Sequence, residues 1–166
     1  MSENNVASRI LLTGLWSQVV ALVMGMALHS SAILAGRALF YGKIFNPALD
    51  LLFVPFITLG GLLGVWGHLW SGKESPWLRG AGLLVSAYFL ISIPLHAKTL
   101  VTWSTAHFAV FPERYSMFII PVQLLFLLIV SACLRDKGNK HQILAAGRER
   151  QDFLANLAAR RLGSGF

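Results

Sequence analysis

Residues 10–35 read ILLTGLWSQVVALVMGMALHSSAILA, an unbroken run with no Asp, Glu, Lys or Arg. About 20 apolar residues in a helix cross the hydrocarbon core of a bilayer, so this run is long enough to span with some tilt. Its polar residues are not scattered. Gln18, Gly25 and His29 fall near one line of a helix, because steps of seven and eleven residues nearly complete whole turns, and Ala21 lies beside that line. Small and polar residues on one stripe of a spanning helix mark the face that meets other helices. An ionisable residue inside a span is a functional hypothesis by default.

The rest of the composition agrees with a membrane protein. Of 166 residues, 55% are hydrophobic and 13% charged, against about 25% charged in a soluble domain. The mean hydropathy is +0.63. The formal charge of +7 comes from 14 Lys and Arg against 7 Asp and Glu. Seven of those basic residues lie in 135–166, directly behind an apolar run. Membrane topology and anionic headgroups account for such a cluster, so nucleic acid is not an expected partner. Cys133 is the single cysteine, which excludes an internal disulfide and any thiol–disulfide relay. The first apolar run is too long for a signal peptide, follows only Arg9 and lacks a small-residue cleavage pattern; it reads as a retained helix.

Working outward, four spans are expected at about 9–35, 49–70, 77–97 and 117–134, after a polar segment 1–8 and before a basic cytoplasmic tail 135–166. Gly60 and Gly64 form a small-xxx-small pair on the second helix, and Gly82 keeps the third slim. With Gln18 and Gly25 they are the expected helix-packing residues. Pro55 and Pro94 bend helices without ending them, and Pro121 lies near the start of the fourth. Trp66, Trp70 and Trp77 suit an aromatic belt. Residues 99–116 either prolong the third helix or lie along the interface. In the tail, Ile143, Leu144, Leu154, Leu157 and Ala158 set an apolar side against a basic one, suited to a membrane surface or a partner. The expected fold is all-α: an integral membrane four-helix transmembrane bundle with short loops and a basic amphipathic C-terminal tail.

Both ends, together with the second connection, hold ten Lys and Arg; the other two connections hold Arg37, Lys43, Lys98 and Arg114. The positive-inside rule then puts both termini in the cytoplasm of a plasma membrane, expected to be a bacterial inner membrane. His29, His96 and His107 fall toward the outer side, His68 and Cys133 toward the inner.

His29 and His96 are the candidate cofactor-binding pair. Two histidines on facing helices can clamp haem b, and His96 with Trp103 and Phe108 has the makings of a quinone pocket. A metal site from His29, His96 and His107 is a weaker variant. The plainer reading has His29 bonded to a neighbour such as Gln123 and His96 at the wet interface. Asp50, Arg79 and Lys98 fall at span ends, where snorkelling accounts for them, and the lack of charge at span centres argues against a proton-coupled carrier. No Ser-His-Asp order, P-loop, GxGxxG or CxxC is present.

Residues 37–47, RALFYGKIFNP, resemble the Gly-Lys end of the first helix in DoxX-type four-helix membrane proteins. The general plan is also similar to the small four-helix subunits of tripartite carriers. Neither likeness extends to motif residues, so neither transfers a site. The expected function is a non-catalytic accessory or anchoring subunit of a larger membrane complex, its partners being the lipid bilayer and other membrane protein subunits. The second expectation is an electron-transfer subunit that binds haem b or quinone through His29 and His96.

Overall fold

The computed structural model describes residues 3–36, 40, 44–70, 75–112 and 114–163. Arg37, Leu39, Tyr41, Lys43 and Lys73 lie outside the described residues, as do the side chains of Leu144, Leu154, Leu157 and Ala158. The described chain forms helices α1 (Glu3–Ala35), α2 (Pro47–Trp70), α3 (Pro76–Thr102) and α4 (Tyr115–Gly163), with a short 3-10 helix at Ala106–Val110. All four long helices carry a stretch apolar enough to cross a membrane: Val6–Ala35, Pro47–Trp70, Pro76–Thr102 and Tyr115–Asn139. The protein is therefore an all-helical, multi-pass membrane protein.

Local chemistry sets the helix ends. α1 stops at Gly36, whose φ of +77° suits only a residue without Cβ, and whose N–H bonds the carbonyl of Ala32. α2 opens with Pro47 after Asn46, whose side-chain oxygen accepts the N–H of Ala48 at 2.9 Å. α3 opens the same way: the Ser75 hydroxyl accepts from Leu78 N–H and Pro76 occupies the first turn. α3 continues past 97 to Thr102, where Trp103 ends it in a left-handed conformation with φ +48°. α4 does not end at 134. The stretch beyond it is rich in Ala, Leu, Arg and Gln, all good helix formers, and contains no proline.

The chain divides into two units, Met1–Cys133 and Leu134–Phe166. The first is the bundle. α2 packs against α1 and α3, while α4 meets α1 where Gln123 covers Gly25, and α3 where the Phe126 and Tyr88 rings lie 5.1 Å apart. The outward faces stay apolar, with Leu52, Ile91 and Leu128 mostly exposed, as a surface against lipid requires. The second unit is helical as far as Gly163, and its Ile143 is exposed.

Small residues bring the helices together. A Cβ on Gly14 would stand 2.7 Å from the backbone nitrogen of Gly64, and one on Gly60 would stand 3.0 Å from the Gln18 side chain. Gln18 is fully buried at this seam. Its amide donates to the Gly60 carbonyl at 2.8 Å and to the Ser86 hydroxyl at 2.9 Å, joining α1, α2 and α3. Ser86 in turn donates to the Gly82 carbonyl. Gly82 makes room for the imidazole of His68, which is fully buried. An amide in hydrocarbon loses several kcal/mol if unpaired, so these bonds fix which faces meet.

Candidate functional site

The half of the bundle away from the N-terminus is built differently. There all four helices line a cavity of about 80 Å³, α2 contributing Phe53 and Ile57. Gly25 and Ala21 leave space on α1, because neither side chain reaches far, and Ser92 does the same on α3. Rings fill much of the remaining wall. Phe40 and Phe45 stack at 5.6 Å, Phe45 meets Phe108 edge-on at 5.4 Å, and Phe111 reaches Tyr115 at 4.6 Å. Most of these rings come from the connections rather than the spans. They close the end of the bundle as an aromatic cap, with Phe40, Phe45 and Phe108 buried.

His29 and His96 both line this cavity. His29 Nδ1 lies 3.1 Å from the Ser116 hydroxyl at the start of α4, and its ring meets Tyr115 edge-on. Gln123 is not its partner: Gln123 Nε2 donates to the Tyr88 hydroxyl at 3.1 Å instead. His96 does not sit at a wet interface. Its Nδ1 lies 2.8 Å from Asp50 Oδ1, and Phe53, Phe45 and Phe108 surround the ring. The imidazole keeps 18% of its side-chain surface exposed, while Asp50 keeps none.

Asp50 is the largest departure from the sequence reading. Snorkelling would carry its carboxylate out to water; instead it is fully buried and turned onto His96. Its place in the first turn of α2 explains why a carboxylate is tolerated there, since the helix N-terminus favours negative charge. Its second oxygen, Oδ2, has no hydrogen-bond partner among the described residues. Neither has Oε1 of Gln123, a residue of the cavity wall. Open polar atoms at a buried site are rare and call for a water or a ligand.

His107 takes no part in the pair. Its Nε2 donates to the Leu95 carbonyl at 2.9 Å, which ties the 3-10 helix to α3. Among the described residues no group of three or more His, Cys, Asp or Glu is placed to hold a metal ion. Trp103, an expected pocket wall, is 60% exposed and does not line the cavity, whereas Phe108 does. Gly25 is at the cavity; Gln18, Gly60, Gly64 and Gly82 form the seam at the other half. Sequence reasoning missed Asp50, Tyr88 and the Phe40–Phe45 cap. A lone acidic residue inside an apolar run is the signal that marks Asp50.

The arrangement suits a small ring with polar substituents. Eight aromatic side chains offer stacking walls, and His96, His29, Tyr88 and Gln123 bring hydrogen-bonding groups to one space. At about 10–15 Å³ per water, the cavity has room for several water molecules. It is smaller than the roughly 150 Å³ void that admits a benzene ring. A haem macrocycle is several rings across and would have to force the helices apart. The chain matches no family model, and no similar characterised protein or solved structure was found.

Proposed function

We propose that this chain is a small membrane subunit that binds a quinone-class ring in the aromatic cavity lined by all four helices. The observation that carries the reading is the His96–Asp50 pair: a carboxylate buried in an apolar end, bonded to an imidazole that faces a ring-lined space. A carboxylate costs several kcal/mol to desolvate, and plain packing gives no return for it. His29 stands across the same space, so the two histidines act as polar contacts for a ring rather than as ligands of a haem iron. Electron transfer is then the role of the complex in which the subunit sits. The long basic helix after Cys133 supports such membership, as an accessory or anchoring subunit. The distribution of Lys and Arg favours cytoplasmic termini, in what we take to be a plasma membrane.

The test is solvent extraction of the detergent-purified chain, with chromatography of the extract and a visible spectrum of the protein. Near-stoichiometric quinone, lost in His96→Leu, is expected. A Soret band lost in both His29→Ala and His96→Ala would replace the quinone reading with haem. Removal of residues 140–166 is expected to weaken copurification with larger membrane partners, and unchanged copurification would contradict the docking role of the tail.

A further inference from the structure

We propose that Tyr88 and Gln123 form a second polar pole at the deep end of the cavity, so that the site selects a ring with oxygens on opposite corners over one with oxygens side by side. The inference rests on the quinone-class reading above and adds which isomer fits and which residues choose it.

The two poles are held by different elements. At the outer end stand the His29 and His96 imidazoles, engaged through Nδ1 by Ser116 and Asp50. At the inner end Gln123 Nε2 donates to the Tyr88 hydroxyl at 3.1 Å, which ties α4 to α3. Both residues belong to the cavity wall. Gln123 is 3% exposed, and its amide lies so close to Gly25 that a Cβ there would stand 2.7 Å from Nε2. The Phe126 ring packs on Tyr88 at 5.1 Å. One turn further in, Leu22 on α1 and Val85 on α3 are fully buried and lie outside the cavity wall. The Tyr88–Gln123 pair therefore stands where the cavity ends.

With the bond between them made, the Tyr88 hydroxyl keeps its own proton and the Gln123 amide keeps a second N–H. Gln123 Oε1 has no partner among the described residues. The pair can thus donate to a carbonyl or accept from a hydroxyl, so what it selects is the position of an oxygen and not its redox form. Spacing sets that position. Tyr88 and His96 are eight residues apart on α3, and Gln123 and Ser116 are seven apart on α4, about 12 and 10 Å of helix rise. A hydrogen bond at each end takes up about 3 Å. About 5 Å is left between two ligand oxygens. Oxygens on opposite corners of a six-membered ring stand about that far apart. Oxygens on adjacent corners are much closer together and reach one pole only.

The test uses the full chain in lipid nanodiscs, titrated calorimetrically with two decyl-substituted benzenediols kept reduced, the 1,4 isomer and the 1,2 isomer. Each hydroxyl both gives and accepts hydrogen bonds, so the comparison does not turn on the protonation of either histidine. The 1,4 isomer is expected to bind about tenfold more tightly, the ratio that one additional hydrogen bond produces. The double variant Tyr88→Phe/Gln123→Leu removes the polar atoms of the deep pole and keeps most of their bulk. It is expected to bring the two isomers within about threefold of each other, chiefly by weakening the 1,4 isomer. A structural role alone would weaken both and leave their ratio unchanged. Equal binding of the isomers by the wild type, or a tighter 1,2 isomer, overturns the selection while leaving ring binding intact. A tenfold preference that persists in the double variant overturns the assignment to Tyr88 and Gln123. Saturable binding of neither isomer overturns both readings. The wild-type comparison stands without any variant. Tyr88→Phe alone, expected to cut the ratio about threefold, stands in for a double variant that does not fold.

Discussion

Ala21→Leu asks whether the cavity is a ligand site or a flaw in packing. Ala21 is buried on α1 and lines the space, so a longer side chain there grows into it. An empty cavity destabilises by about 24 cal/mol per Å³. For 80 Å³ that comes to about 2 kcal/mol. The three added carbons are worth about 0.8 kcal/mol each by transfer, close to the same figure. Within a bilayer only the packing share is gained, because lipid is already apolar, so the expected gain is about 1 kcal/mol. Equilibrium unfolding in mixed micelles with increasing SDS measures it. The same variant is expected to lose at least about tenfold in affinity for decyl benzoquinone, because ring and leucine compete for one volume. Stability and binding then move in opposite directions, as they do where a protein keeps a void for use. An Ala21→Leu protein that binds the quinone with wild-type affinity refutes the location. A variant destabilised by more than about 1 kcal/mol shows that the space cannot take the side chain.

Three further substitutions separate packing from function. Gly14→Ala sets a Cβ 2.7 Å from the Gly64 backbone nitrogen, where neither helix can yield without moving apart, so a loss of about 2 kcal/mol is expected in the same unfolding assay. Gly80→Ala meets nothing within 4 Å and is expected to stabilise α3 by up to about 1 kcal/mol. Gln18→Leu removes two interhelical hydrogen bonds, each worth about 0.6 kcal/mol on average in a membrane, with a loss of about 1–2 kcal/mol expected. Because Gln18 is not at the cavity, quinone affinity in that variant is expected to stay at the wild-type level.

Much of the fold was legible because the bilayer imposes a length and an apolar composition on every span. The runs around 10–35 and 51–70 admitted one reading, and the glycines that permit close approach stood out by spacing alone. Helix ends were harder. α4 runs on through the tail since nothing in residues 135–163 breaks a helix, although the composition changes abruptly at Arg135. The site was only half visible. His29 and His96 could be singled out as ionisable residues within spans, and they do line one cavity. Their partners could not be read, because hydrogen bonds across a bundle depend on helix rotation and depth. Ser116 and Gln123 stand two turns apart on one face of α4, so depth along the helix, and not the face, decides which of them meets His29. Asp50 was misjudged for a related reason. Position in sequence placed it near a span end, but the Phe40–Phe45–Phe108 cap, formed by residues far apart in the chain, covers that end and keeps water from it.

The most direct test of the cavity as a ring site is photolabelling with an azido-substituted benzoquinone in nanodiscs, followed by peptide mapping. Labels are expected on cavity residues such as Phe45, Tyr88 and Phe108, suppressed by excess unlabelled quinone and by Ala21→Leu. Labels confined to lipid-facing positions such as Leu62 and Leu128, and indifferent to competitor, would contradict it.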